Sequence, residues 1–355
     1  MRAIVVDKFG SPDVLNFRDV PDPTPPRGGY VVQVLASAVN YADVVERKGL
    51  YRKGQKLPSP LGKEAAGVVI ERDSDAVKFE VGDPVIVMRF GNGCYAEKVS
   101  AEAHEVLRPP LGLSFIEMAA FGTSYATAWY AMYEIARVRP GESALVQAAA
   151  GGVGSAAVTL ARTGGCTPVV GTAGGPAKCA VAVGLGADAC IDYLVEDFRP
   201  AVLGLTGDRG IDYCLESVGG ETYRRSVDVI APMGRLVIIG FSSIGVDYAA
   251  DIRRLHPLTL FQRSISVGGL NIENLVVSRR SDIWDRLVAH AEEHAIRPHV
   301  GHVYPFEAIR EAHDALESRR STGKVLLVLD ELASHVPGRE RPPSWSAGRS
   351  RAAVG

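Results

Sequence analysis

Two hydrophobic patterns follow one another along the chain. Up to about residue 121, short apolar runs are separated by Gly, Pro and Asp, which is typical of short strands and turns. The runs are RAIVVDKFG, YVVQVLASAVN, GVVIERD, GDPVIVMRF and CYAEKVS. A polar interruption, VNYADVVERKGLYRKG, indicates one short helix leaving a strand. The pattern predicts a mostly antiparallel, barrel-like domain over residues 1–122.

Helical periodicity begins at FIEMAAFGTSYATAWYAMYEIA, and strands then alternate regularly with helices. We predict strands near 143–147, 167–172, 189–193, 211–218 and 235–240, and helices near 155–162, 177–185, 197–206 and 221–230. Such alternation builds a doubly wound parallel sheet with helices on both faces. The predicted α/β domain covers residues 123–275.

The remaining segment, 276–330, is predicted to return to the first domain. It carries an amphipathic helix at 282–294, a second helix at 305–319 and a final strand at 323–328. Residues 331–355 are rich in Pro, Gly, Ser and Arg, so we expect them to be disordered. Before this segment, ISVGGLNI at 265–272 is predicted as an edge strand, and pairing of two such edges would give a homodimer.

The stretch SALVQAAAGGVGSAAVTLAR, residues 143–162, reads as a buried strand that turns sharply into a helix. Gly151, Gly152 and Gly154 remove side chains at the turn, and the helix N-terminus supplies free N–H groups to a pyrophosphate. Ala149 stands where G-x-G-x-x-G has its first glycine. The alternative is a small-residue turn that only packs the helix on the strand.

The end of the next strand, VVGTA, indicates which dinucleotide binds. An acidic residue there would accept hydrogen bonds from the ribose of NAD, but no acid occurs before Asp188. Lys178 offers a cation to a 2′-phosphate instead. The sequence therefore favours NADPH over NADH. The alternative for Lys178 is a solvated lysine on a helix face.

Composition excludes several function classes. The 355 residues are 46% hydrophobic with a formal net charge of −2, so nothing calls for nucleic acid or an anionic membrane. No apolar run reaches the length of a membrane span and the N-terminus lacks a signal-peptide layout, so we expect a cytoplasmic protein. The five cysteines are scattered, which predicts reduced thiols and disfavours a metal site.

The order of these parts resembles the medium-chain dehydrogenase/reductase superfamily over about residues 1–330. Within it, GESALVQAAAGGVGSAAVTLAR is similar to the quinone oxidoreductase (zeta-crystallin) signature, and NYADVVERKGLY, GKEAAGVV and ACIDY agree. The run RPHVGHVYPFEAIREAHDALESRRSTGKVLLV looks like the synaptic-vesicle membrane-protein branch. One departure is Thr159, where the signature carries glutamine.

This resemblance implies a Rossmann domain plus a GroES-like barrel domain, without zinc. Where zinc alcohol dehydrogenases carry Cys and Gly-His-Glu, this chain has Asn40-Tyr41 and Gly62-Lys63-Glu64. Without a Lewis acid, reduction of an isolated carbonyl is disfavoured. Conjugated acceptors delocalise the negative charge that arrives with hydride, so hydrogen-bond donors suffice for them.

Family positions carried onto matching residues give the expected site. The expected cofactor-binding residues are Gly151, Gly152, Val153 and Gly154 for the pyrophosphate, Thr172 for the adenosine ribose, Lys178 and Tyr193 for the 2′-phosphate, and Gly240, Phe241, Ser242 and Lys324 for the nicotinamide end. The expected catalytic residues are Asn40, Thr127 and Tyr130, with Tyr51 closing the substrate cleft. Tyr130 could instead be a core aromatic, and Asn40 could only cap a turn.

The resemblance implies a zinc-independent NADPH reductase that transfers hydride to a quinone or another α,β-unsaturated carbonyl. Two alternatives stay open at this point. One is an enoyl-thioester reductase of the polyketide or fatty-acid type acting in trans, which shares the same turn. The other is a non-catalytic NADPH-binding protein, because binding and turnover are separable.

Overall fold

Two separately packed units divide the chain. The first contains Met1–Gly122, Val303–Asp314 and the chain from Leu326, and the second contains Thr123–His302 and Ala315–Val325. The computed structural model describes residues 1–51, 54–243, 257–275, 281–330 and 335. The tail predicted to be disordered therefore lies, apart from His335, outside the described residues.

Strands dominate the N-terminal third and then alternate with helices, as the hydrophobic pattern predicts. In chain order they are β1 (Arg2–Val6), β2 (Leu15–Asp19), β3 (Tyr30–Val39), β4 (Ser59–Pro60), β5 (Glu64–Arg72), β6 (Pro84–Met88), β7 (Lys98–Ala101), β8 (Val106–Leu107), β9 (Ala144–Val146), β10 (Val169–Ala173), β11 (Ala189–Asp192), β12 (Ile211–Glu216), β13 (Ile230–Ile238), β14 (Ser266–Gly269), β15 (Val300–Pro305) and β16 (Lys324–Val328).

Helices follow the apolar-periodic segments. They are α1 (Tyr41–Arg47), α2 (Phe115–Trp129), α3 (Gly152–Thr163), α4 (Pro176–Gly184), α5 (Phe198–Leu205), α6 (Gly220–Asp228), α7 (Pro257–Arg263), α8 (Ser281–Glu293) and α9 (Ile309–Glu317). A π-helical turn, Tyr130–Ile135, continues α2. The helix predicted at 305–319 is a 3₁₀ turn, Phe306–Ala308, followed by α9. No helix in the described part of the chain is long and apolar enough to cross a membrane.

The first unit is built on antiparallel pairing. β2, β1 and β4 form one small sheet, and β15, β16, β3, β5, β6 and β8 follow one another in a second sheet, where β7 also pairs with β3. β3 is ten residues long and nine of its residues are buried, so both faces of this strand are covered. Its core includes Tyr30, Val34, Val69 and Val87. This is the predicted mostly antiparallel domain.

The second unit holds a six-stranded parallel sheet in the order β11-β10-β9-β12-β13-β14. The order reverses at β9, the strand before the glycine-rich turn, so a crevice for a ligand opens at the carboxyl ends of these strands. The core under the sheet contains Leu145, Val170, Cys214 and Leu236. The predicted doubly wound α/β arrangement is confirmed.

β14 ends the parallel sheet, as the sequence predicts. It spans only Ser266–Gly269 rather than all of 265–272, and it pairs in parallel with β13. Ile265 and Leu270, which flank the strand, are buried. The strand is short because Asn271 already caps a following 3₁₀ turn, its side chain accepting from the N–H of Glu273.

Candidate functional site

The glycine-rich turn joins β9 to α3 through a tightly bonded backbone. Ala148 has a positive φ of 52° and its carbonyl accepts the N–H of Gly151 at 2.9 Å. A Cβ on Gly154 would lie 2.1 Å from the carbonyl oxygen of Ala148. Only glycine fits at position 154, because any side chain would push the helix away from the turn. The predicted strand–turn–helix geometry is therefore present.

Ala149 replaces the first glycine of the dinucleotide motif, and the structure shows how the fold accommodates it. A Cβ on Gly171, in the neighbouring strand β10, would lie 2.8 Å from the Cβ of Ala149. The N–H of Ala149 donates to the carbonyl of Thr172 at 2.9 Å. The methyl group of Ala149 thus fills space that a glycine in the adjacent strand leaves open.

The N-terminus of α3 lies directly after the glycine-rich turn and has the features that helices use to bind anions. Gly151 is the residue before its first turn, and the helix runs twelve residues to Thr163. The first N–H groups of a helix have no partner within it, and the helix dipole favours negative charge there. The backbone of Gly152 and Val153 is therefore placed to donate to a pyrophosphate.

Lys324 lies beside this turn. Gly323 donates its N–H to the carbonyl of Ala150 at 2.7 Å and forms an isolated parallel bridge with Gly151. A Cβ on Gly152 would lie 3.2 Å from Cδ of Lys324. The side chain of Lys324 therefore passes beside the glycine-rich turn, and its expected role at the nicotinamide end stays a prediction.

A pair of cations lies at the end of β10, where an NAD-specific site would carry an acid. Nζ of Lys178, on α4, donates to the backbone carbonyl of Arg319 at 2.6 Å. Arg319 has a positive φ of 57° and donates to the carbonyl of Ser242 at 3.0 Å. Partial burial, together with the charge of Arg319, lowers the pKa of Lys178. The negative charge of a phosphate would favour the charged form of Lys178 and offset its repulsion by Arg319, so this position fits a 2′-phosphate.

Arg319 was not among the predicted site residues. It lies 141 positions from Lys178, and the only signal for it is the basic run Arg319-Arg320 shortly before the last strand.

Tyr193 lies beside the end of β10, near Ala173 and Gly174. Its N–H donates to the carbonyl of Ala173, and its hydroxyl would be 2.7 Å from a Cβ on Gly174. Its side chain remains about half exposed. An acid, Asp192, is near as well, but its Oδ1 accepts the N–H groups of Gly175 at 2.8 Å and Leu194 at 3.0 Å. That carboxylate organises the loop, and Tyr193 presents its hydroxyl at the loop.

Thr172 has a different environment from the one expected. Its side chain is buried in β10, and its hydroxyl donates to Oε1 of Gln147 at 2.5 Å. Gln147 in turn donates to Oγ of Ser226 at 3.0 Å. The hydroxyl of Thr172 is used inside the unit, so we do not carry Thr172 into the proposed site as a ribose ligand.

Residues 240–242 follow β13 and cross the end of β12. Ser242 donates its N–H to the carbonyl of Ser217 at 3.1 Å, and Phe241 is 38% exposed. The loop after β12 is held by Glu216, whose fully buried carboxylate accepts from Val218 at 2.7 Å and from Gly219 at 3.0 Å. Burial raises the pKa of Glu216 to about 7. The chain therefore supplies an ordered pair of loops at this edge of the sheet.

Thr127 and Tyr130 lie three residues apart, so they share one face of the helical segment. Both are almost fully buried, and Tyr130 begins the π-helical turn. π-helical turns occur frequently at functional sites. Their catalytic roles stay predictions.

Asn40 and its surroundings belong to the first unit. Asn40 precedes α1, its N–H donates to Oδ2 of Asp43 at 2.8 Å, and its side-chain amide donates to Oε1 of Glu64 at 3.0 Å. The hydroxyl of Tyr95 donates to Oδ2 of Asp43 at 2.9 Å. Burial raises the pKa of Asp43 to about 6, although the nearby charge of Lys63 opposes the shift. Asn40 is thus the residue before α1, in a capping box with Asp43, and its side chain donates to a buried carboxylate; its catalytic role stays a prediction.

A buried ion pair lies next to this network. Nζ of Lys63 is 2.7 Å from Oε2 of Glu46, and both side chains are at most 2% exposed. Asn92 donates to Oε1 of Glu46 at 2.7 Å. The ammonium group also lies 4.5 Å from the centre of the Tyr51 ring, a cation–π contact. Lys63 therefore links Tyr51 to the charged face of α1.

These residues do not fit a zinc ion. Zinc is bound by thiolate, imidazole or carboxylate donors, whereas this position holds an ion-paired ammonium and an amide. Among the described residues, no group of three or more His, Cys, Asp or Glu side chains is arranged to hold a metal.

Known proteins match both units. Residues 26–137 match the alcohol dehydrogenase GroES-like domain, and residues 185–327 match the family described as zinc-binding dehydrogenase. The human synaptic vesicle membrane protein VAT-1 homolog is 30% identical over 92% of this chain and 86% of its own length. Human quinone oxidoreductase is 30% identical over 93% of this chain and 98% of its own.

Solved structures of related proteins have a similar fold. Escherichia coli quinone oxidoreductase, complexed with NADPH, is 28% identical and covers 93% of this chain and all of its own, with a TM-score of 0.83. A structure described as an NAD-dependent alcohol dehydrogenase is 31% identical with the same coverage and a TM-score of 0.82. The predicted combination of a Rossmann-like sheet and a mostly antiparallel domain is confirmed. The chain belongs to the medium-chain dehydrogenase/reductase superfamily, together with the quinone oxidoreductases and the VAT-1 homologues.

Proposed function

We propose that this protein is an NADPH-dependent reductase that transfers hydride to a quinone or another α,β-unsaturated carbonyl without using zinc. The observation that carries the cofactor choice is the cation pair of Lys178 and Arg319 at the end of β10. A neighbouring structure described as NAD-dependent has nearly the same fold, so the fold alone does not decide between NADPH and NADH. In this proposal the positive charge of Lys178 and Arg319 is the feature that favours NADPH over NADH.

When bound, NADPH supplies the hydride. The residues of the chain bind and orient it: the N–H groups of Gly152 and Val153 donate to the pyrophosphate, and Lys324 adds positive charge beside them. In this proposal Tyr193 supports the 2′-phosphate site. The loop of Gly240, Phe241 and Ser242 limits where the nicotinamide end can lie.

The acceptor class follows from what the first unit can supply. Lys63 neutralises Glu46 and offers no lone pair or open coordination position, so strong polarisation of an isolated carbonyl is missing. A conjugated acceptor spreads the incoming charge and needs only hydrogen-bond donors. In this proposal Asn40 and Tyr51 orient the acceptor, and Thr127 and Tyr130 contribute at the nicotinamide end.

The test of acceptor class is NADPH consumption with purified protein and a panel of quinones, enones and simple ketones, in the presence of EDTA. We expect turnover with the conjugated acceptors and none with simple ketones. Activity that disappears with EDTA and returns with zinc would contradict the proposal. Turnover of simple ketones at comparable rates would contradict it too.

The test of cofactor choice is the dissociation constant of NADPH and of NADH for Lys178→Ala and Arg319→Ala. Each variant should weaken NADPH binding by about 1 to 3 kcal/mol, as expected for a lost charge-assisted hydrogen bond, and leave NADH nearly unchanged. Lys8→Ala, which removes an exposed lysine in the first unit, is the control. An equal loss for both cofactors would refute the assignment.

A further inference from the structure

Ser124, on α2, carries a buried hydroxyl next to the dinucleotide turn. The residue is 2% exposed, and its Oγ has no hydrogen-bond partner within the described part of the chain. Oγ lies 3.3 Å from the point where a Cβ on Gly152 would be. The hydroxyl therefore reaches the N-terminus of α3, on the side where Lys324 also passes.

Buried hydroxyls are ordinarily hydrogen-bonded, and a helical one usually returns to the carbonyl four residues earlier. Thr159 and Thr163 on α3 do this, donating to the carbonyls of Ser155 at 3.1 Å and Thr159 at 2.9 Å. Ser155, close to the same helix end, donates to the carbonyl of Gly152 at 3.0 Å. Ser124 makes neither kind of bond, so its donor is available at the turn.

We propose that Ser124 Oγ donates a hydrogen bond to the pyrophosphate of the bound dinucleotide and is a specific ligand of that group. This inference rests on the proposed cofactor. Helix α3 approaches the phosphates with backbone N–H groups, Lys324 brings charge, and Ser124 adds a neutral donor from a separate helix, α2. Gly152 is needed between them, because a side chain there would occupy the space within 3.3 Å of both Ser124 Oγ and Lys324 Cδ.

The ligand assignment has a consequence for specificity. The pyrophosphate is common to NADPH and NADH, so Ser124 should contribute equally to both. Lys178 and Arg319 instead act on the 2′-phosphate, which only NADPH has. A nucleotide with a 2′-phosphate and no pyrophosphate, 2′-AMP, should not depend on Ser124.

The experiment measures the binding of NADPH, NADH and 2′-AMP to Ser124→Ala by titration calorimetry or by protein fluorescence, without turnover. We expect about tenfold weaker binding of both dinucleotides, the loss of one hydrogen bond to a charged group, and unchanged 2′-AMP binding. Ser155→Ala is the matched control, because it deletes a buried hydroxyl at the same helix end whose bond is internal. It should leave all three constants within twofold of wild type.

Three results for Ser124→Ala would overturn the proposal. The first is dinucleotide binding within twofold of wild type, and the second is weakened binding of NADPH alone. The third is equal weakening of 2′-AMP binding, which would indicate a general disturbance of the unit. A thermal unfolding curve for each variant distinguishes misfolding from loss of a contact. If the wild-type protein binds no dinucleotide, both this inference and the proposed cofactor fail. If it binds NADPH but reduces no acceptor, only the proposed reaction fails.

Discussion

The buried pair of Lys63 and Glu46 gives the sharpest prediction about stability. Replacing Lys63 with Met keeps much of the side-chain volume but leaves the Glu46 carboxylate buried beside Asn92 alone. The ring of Tyr51 loses its cation at the same time. We expect Lys63→Met to be strongly destabilising, and the double variant Lys63→Met/Glu46→Gln to recover most of the loss.

The magnitude follows from the geometry. At 2.7 Å and an effective dielectric constant of about 20, the attraction is about 6 kcal/mol. Desolvation of two ions costs several kcal/mol each, so the pair adds little net stability. Removing one partner alone, however, leaves an uncompensated charge, which costs about 3 to 5 kcal/mol. The double variant removes both charges, so its loss should be about 1 to 2 kcal/mol.

The assay is urea unfolding at pH 7, with the four proteins of the cycle compared at one protein concentration. Glu46→Gln alone should also be costly, because it leaves the ammonium group of Lys63 buried. A loss below 1 kcal/mol for Lys63→Met would show that the pair is solvated in solution. Additive losses in the double variant would show that the two side chains do not interact.

Three further predictions concern other parts of the fold. Burial raises the pKa of Glu216 from 4.5 to about 7, so the folded state holds this proton more tightly than the unfolded state. The contribution of Glu216 to stability should therefore be complete below pH 4.5 and be lost, by about 3 kcal/mol, as the pH rises from 4.5 through 7. In Glu216→Gln this contribution should be absent, so the difference in urea midpoint between wild type and variant should change between pH 5 and 8. Gly154→Ala should lower the melting temperature and abolish NADPH binding because of the clash with Ala148, whereas Gly184→Ala, whose Cβ meets no atom within 4 Å, should do neither. We also expect a homodimer through β14, the last strand of the sheet, which Val267→Pro should convert to monomers or aggregates in light scattering; a monomeric wild type would contradict this.

The parts of the fold that could be predicted from sequence are those with local signals. The predicted strand at 143–147 and helix at 155–162 correspond to β9 and α3, but α3 begins at Gly152. Glycine has low helix propensity, so a hydrophobic pattern misses a first turn made of glycines. The sequence predicts that β13 begins at 235, because Pro232 and Gly234 discourage a strand locally. In the structure β13 begins at Ile230. Ile230 pairs with Ile211 of β12, and the register shifts before Arg235, so this irregular start of β13 depends on a contact with a distant strand.

The parts that could not be predicted depend on contacts between distant positions. Arg319 reaches Lys178 across 141 residues, and neither side chain lies in a pattern that marks the other. The polar segment that follows Asn40 is predicted only as a short helix, yet its charged residues Asp43, Glu46 and Arg47 are all almost completely buried. The positions of charged residues along the chain do not indicate which partners neutralise them. Burial of this helix face could therefore be found only in the structure.

The charges around α1 explain why a cation is needed at position 63. Asp43, Glu46 and Glu64 are three carboxyl groups without solvent access, and each unpaired buried charge would cost several kcal/mol. The ammonium group of Lys63 pairs with Glu46 and lowers the cost of ionising Asp43. An ammonium group balances charge as a metal does, but it accepts no ligand and cannot bind a substrate oxygen as a Lewis acid. In the proposed reaction the acceptor must therefore stabilise the incoming negative charge itself.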